Sequence, residues 1–382
     1  MSGTSYRAAL TILAALTSTA LSANPTATAT DPVNSDRIRG EQWFLRDLNV
    51  EKAHQISQGE GVVVALADTR VSNHPDLDGS ILPGIDIAPD NQGNNLQHHS
   101  SHGTLMAGLI AAHGQGKNRG ALGIAPKSQV LPVGVQPEVG QGSTEDLAAG
   151  IEWAVRSHVD VISVSSVAGA SMRLQRAIRA ALDANIIVVA AAGNRPDDLT
   201  VGYPASEDEV IAVGGTDPGG GHASVSVTGP EIDLVAPAVD IYSTSYGGKY
   251  SKGTGTSSAT AIVAGAAALV RSKFPNLPAQ EVVHRLTATA IDKGPPGRDD
   301  EYGYGVIDLV AALTADVPPL GFESRGATPP ASAQATAPGD GTSNGATARG
   351  LATLGVLAAA GGGFLVWRRR RRADDLPPRI SR

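Results

Sequence analysis

The sequence predicts an α/β fold in three layers: a mostly parallel central sheet with helices on both faces. Three observations carry this. Short, continuous apolar runs recur between residues 61 and 213, and helical periodicity falls between several of them. The 382 residues are 41% hydrophobic, enough for one large core. Strands alternating with helices make βαβ units, which gather reactive groups at the carboxyl ends of the strands.

The first strand is residues 61–67, apolar throughout and so expected to be buried on both faces. Asp68 closes it. An Asp there is commonly a turn residue or helix cap, but this is also where such a sheet places a reactive carboxylate. Ser100 and Ser101 precede an apolar helix from His102 to Ala112 and are expected to cap it. In its first turn His102 should face a cleft. His98 and His99 lie nearby, but three histidines in one polar loop bring no further ligand type, so no metal site is expected.

The next strands are expected at 130–135, 159–164, 186–191 and 210–213. Helices are expected at 144–157, with Leu147, Ile151 and Val155 at steps of four, and at 172–184, with Leu174, Ile178, Ala181 and Leu182. Asn194 ends the stretch 188–194, either as a turn former or as an amide donor to an oxyanion. Ser257 sits in a glycine-rich turn that runs into a small-residue helix, residues 262–269. A serine at the positive end of a helix dipole is a candidate nucleophile.

The ends read differently. Residues 1–23 carry Arg7, an apolar run and then small residues, the pattern of a secretory signal peptide with cleavage between 20 and 29 rather than a buried helix. Residues 24–58 form an N-terminal extension, and 59–316 the folded body. Residues 317–347, rich in Pro, Ala, Gly, Ser and Thr, are expected to be a disordered linker. Residues 350–367 are free of charge and span about 27 Å as a helix, close to a bilayer core. Trp367 and Arg368 to Arg372 follow as interface and cytoplasmic anchors. The expected product is a single-pass protein of the cell membrane, with its body extracytoplasmic and a basic cytoplasmic tail, 368–382.

The last 15 residues hold seven Arg and two Asp, a net of +5, so the rest of the chain carries −12. An acidic body argues against nucleic-acid binding. The chain has no cysteine, which excludes disulfides, a thiol nucleophile and thiolate metal sites.

The order Asp68, His102, Asn194, Ser257 is that of the subtilisin-like serine proteases. Residues 42–314 resemble that family through four motifs: 63–69 with His74-Pro75-Asp76-Leu77, 102–108, 188–194, and 255–257 with 263–269. The resemblance implies a subtilisin-like fold and a serine endopeptidase acting on protein or peptide substrates without a cofactor. Asp68, His102 and Ser257 are then the catalytic triad, Asn194 the oxyanion-hole donor, and Ser165-Ser166-Val167 the substrate-binding strand.

The chain also looks like the mycosins, membrane-anchored subtilases that accompany type VII secretion systems. That likeness rests on Gln42-Trp43-Phe44-Leu45, residues 56–61, Leu105, residues 302–308 and the terminal span. It implies a type VII secretion membrane complex as a partner and contact with the lipid bilayer through 350–367. A catalytically weak subunit with a structural role is the alternative. Three positions depart from the family. Arg70 replaces a Gly and should either displace Asp68 or put a cation near the cleft. Val167 replaces a Gly and should narrow or reshape the first specificity pocket. Ala261 replaces a Pro and should be tolerated.

Overall fold

The computed structural model describes residues 33–88, 101–137 and 142–320. The signal peptide, the span at 350–367, the basic tail, His98 and His99 lie outside the described residues, as do most of the linker and the start of the extension. No helix among the described residues is long and apolar enough to cross a membrane.

The apolar runs assemble into a central sheet of seven strands: β1 (Val63–Asp68), β2 (Ile85–Asp86), β3 (Gln129–Gly134), β4 (Val161–Val164), β5 (Ile187–Ala191), β6 (Ile211–Thr216) and β7 (Leu234–Pro237). Their order is β2-β3-β1-β4-β5-β6-β7, and every pair is parallel. Burial on both faces explains why the central strands read as continuous apolar runs. A separate antiparallel hairpin joins β8 (Ile241–Thr244) to β9 (Tyr250–Gly253).

Three short helices lead in: α1 (Ile38–Glu41), α2 (Trp43–Asp47) and α3 (Val50–His54). They are followed by α4 (His102–Ala111), α5 (Thr144–Arg156), α6 (Met172–Asp183), α7 (Thr256–Lys273), α8 (Ala279–Ala288) and α9 (Leu309–Thr314). The helices segregate by face. Residues of α5 and α6 pack with Ala65, Ala67, Ile162 and Val188; those of α4, α7, α8 and α9 pack with Val64, Leu66, Val161 and Val189. Alternate residues of each strand therefore feed opposite layers, as the period of two requires.

Close packing needs the small residues. A Cβ on Gly265 of α7 would lie 2.7 Å from the Ile124 side chain. Ala261 is fully buried within α7, so the departure from Pro leaves the helix intact.

The extension packs as part of this core. Ile38, Phe44, Val50 and Ala53 are fully buried in the same cluster as α7. The Gln42 side-chain amide donates to the carbonyls of Leu122 and Tyr242 and accepts from the Leu122 N–H. Trp43 Nε1 donates to Val239, and Ser57 Oγ to Leu269.

Strand order sets the position of the site. From β1 the chain moves outward to β2 and β3 on one side, then crosses to β4 on the other. The reversal falls between β1 and β4, and crevices open outside the carboxyl ends of strands at such a switch point.

Candidate active site

Asp68, the last residue of β1, stands at that switch point and is 1% exposed. Its Oδ1 accepts from the Thr69 N–H at 2.6 Å and from His102 Nδ1 at 2.7 Å. Two donors on one oxygen stabilise the carboxylate and fix its plane.

His102 opens α4, but Ser101 before it does not cap that helix, and Ser100 lies outside the described residues. Ser101 occupies the N-cap position with αR backbone angles and makes no side-chain cap bond. Thr69 does that work: its Oγ1 accepts from the Gly103 N–H at 2.9 Å. The same residue thus bonds the Asp68 carboxylate and the first turn of α4. The approach is too close for any side chain at 103, where a Cβ would lie 2.7 Å from the Arg70 carbonyl oxygen.

With Nδ1–H donated to Asp68, neutral His102 keeps Nε2 as an acceptor. Ser257 Oγ lies 3.2 Å from it. The Asp68 charge raises the His102 pKa above its ordinary value, against burial, which lowers it. That balance suits a group that must become an imidazolium during reaction.

Ser257 is the second residue of α7, so the helix N-terminus lies beneath it. Asn194 approaches from the end of β5. Its Oδ1 accepts from the Thr256 N–H at 2.9 Å and from Thr256 Oγ1 at 3.3 Å. Because an N–H can only be received by the oxygen, Nδ2 must face the other way. A Cβ built on Gly255 would sit 3.5 Å from both Asn194 Nδ2 and Ser257 Oγ. Gly255, at φ +156°, therefore keeps a small space open between the Asn194 amide and the Ser257 hydroxyl. An oxyanion placed there meets the Asn194 amide and the α7 N-terminus together.

A cleft of about 530 Å³ adjoins Asn194. Ser165, Ser166 and Val167 line it, as do Gly193, Asp197 and Asp198. Of the consequences expected of the departures, a displacement of Asp68 is not seen, and Val167 stands in the cleft wall. Arg70 pairs with Asp86 through Nε and Nη2, and Asp68 keeps both its hydrogen bonds. Val167 leans on Gly202, where an added Cβ would collide with it, and the cleft stays open. Among the described residues no cluster of three or more His, Cys, Asp or Glu could hold a metal ion.

Thr69 and Thr256 were visible in the sequence only as members of motifs. Their positioning roles depend on partners 34 and 62 residues away.

Residues 59–305 match the model of the subtilase family. Subtilisin of Bacillus pumilus is 41% identical over 66% of this chain and 91% of its own length. Subtilisin Savinase of Lederbergia lenta is 37% identical over 71% of this chain and 97% of its own. Among solved structures, MycP1 from Mycobacterium smegmatis superposes with a TM-score of 0.62 at 28% identity, covering 72% of this chain and 85% of that one. A MycP1 described as a serine protease and an essential component of the type VII (ESX-1) secretion system is 30% identical, with a TM-score of 0.62 and coverage of 72% and 88%.

Proposed function

The chain belongs to the subtilase family and is a serine endopeptidase acting on protein substrates; from that premise we propose that Asp68, His102 and Ser257 are its catalytic triad, and that it works at the outer face of the cell membrane beside a type VII secretion system. The observation that carries the catalytic part is the continuous path from Asp68 Oδ1 through His102 to Ser257 Oγ, at 2.7 and 3.2 Å.

On this reading His102 Nε2 takes the Ser257 proton as Oγ attacks the peptide carbonyl. The oxyanion forms over Gly255, where Asn194 Nδ2 and the Ser257 N–H donate to it. His102 then gives the proton to the leaving amine, and water deacylates the serine by the same route. Asp68 holds the tautomer and balances the imidazolium. A fluorophosphonate should label the full chain in detergent on Ser257 alone. Absence of label on a folded chain would overturn the assignment.

Asn194→Ala should lower kcat about 10²- to 10³-fold with little change in KM, because the amide meets charge that exists only in the transition state. A raised KM with kcat unchanged would instead place Asn194 in ground-state binding.

The secretion role is supported by the likeness to the MycP1 structures. The membrane location is supported by the uncharged run at 350–367 with its five following arginines. Protease accessibility of a C-terminal tag in intact cells tests it: protection is expected, and cleavage would refute it. A structural role independent of cleavage is the second reading, favoured because one MycP1 is described as an essential component of its system. Restoration of secretion by the Ser257→Ala chain would select it.

A further inference from the structure

We infer that the cleft beside Asn194 receives a lysine or arginine side chain, on the acyl side of the scissile bond. This rests on the triad assignment only for the direction of the substrate. His102 must reach the leaving amine, so the leaving half of the substrate lies on its side. The cleft lies on the other side of the nucleophile. It shares Asn194 with the oxyanion space, and neither Asp68 nor His102 lines it. It therefore takes the residue whose carbonyl is attacked.

Its chemistry is acidic and polar. Asp197 and Asp198 line it together with Gln136, Ser143 and Thr144, and among the described residues no Lys, Arg or His does. Neither carboxylate has an ion-pair partner among the described residues. Asp198 Oδ2 accepts the Asn194 N–H at 2.7 Å, which fixes that carboxylate beside Asn194 in the cleft wall. Asp197 is exposed in the same turn. Arg195, in the same turn, donates to Thr228 Oγ1 and does not line the cleft.

Ser165 also lines the cleft, at 9% exposure. An ammonium or guanidinium carries donors for both carboxylates. A long aliphatic stem fits between the small residues Ala191, Gly193 and Gly169. The net −12 of the chain before its tail draws basic segments toward the body at low salt.

Binding separates this inference from catalysis. Tetrapeptide amides ending in Lys or in its uncharged isostere norleucine would be titrated against the full Ser257→Ala chain in detergent, which binds without turnover. The Lys peptide should bind about tenfold more tightly at low salt, with the ratio shrinking as ionic strength rises. Asp197→Asn should reduce the ratio to about threefold. Equal affinities, tighter norleucine binding, or a ratio indifferent to Asp197→Asn would each overturn the inference. Labelling of the wild-type chain by fluorophosphonate reports on the triad alone, so the two claims fail separately.

Discussion

Ser257→Ala should lower kcat about 10⁶-fold, and Asp68→Asn about 10⁴-fold, with the double variant no slower than Ser257→Ala alone. The three groups act as a unit, so losing the nucleophile removes what the others do. Alanine at 257 loses one hydroxyl at a helix start and should leave the thermal midpoint within a few degrees. Asn at 68 conserves volume and loses charge.

That charge has a second signature. Asp68 is the largest influence raising the His102 pKa. His102 must be neutral to accept the serine proton, so the acid limb of kcat/KM lies above the ordinary histidine value of about 6.5. Without the carboxylate the folded-state pKa falls, and the limb of the residual activity should move to lower pH. A limb that stays in place would mean that another group sets it. Hydrolysis by Ser257→Ala above about 10⁻³ of wild type would move the nucleophile elsewhere.

The sequence showed the central strands and the four chemical groups for one reason: both are local. Residues 63–67 and 187–191 are apolar at successive positions because both faces are covered. Strand β7 escaped because Asp233 and Pro237 bound a run of only three apolar residues, and Asp233 is committed to the Ala212 N–H. The β8–β9 hairpin escaped because Ser243, Thr244, Ser251 and Lys252 hide its alternation. Hydrogen bonds across long separations were equally hidden. A Ser before a helix reads as its cap, yet the αR backbone of Ser101 leaves that role to Thr69. Arg70 and Val167 read as intrusions because the sequence shows the missing glycine and not Asp86 or Gly202, which receive the new side chains.

A chain beginning at Gly59 should not fold, although the family match begins there. The reason is burial. Ile38, Phe44 and Val50 are fully buried and Leu48 is 6% exposed, all in the cluster that holds α7 against the sheet. At about 1.5–3 kcal/mol for each large apolar side chain, their removal costs roughly 6–12 kcal/mol. That equals the whole stability of an ordinary domain, about 5–15 kcal/mol. Loss of Gln42 also strands the Leu122 N–H and the carbonyls of Leu122 and Tyr242 in the interior. The hydrogen-bonded lead-in begins at Asn34, whose Oδ1 accepts from the Asp36 and Arg37 N–H groups. A chain beginning at Val33 should therefore keep a cooperative thermal transition, and one beginning at Gly59 should show none by circular dichroism. A transition for the shorter chain within about 5 °C of the longer would make the lead-in a detachable extension. On the burial argument it is part of the catalytic domain, because α7, which carries Ser257, packs against it; a maturation cut that preserves activity must then fall upstream of Asn34.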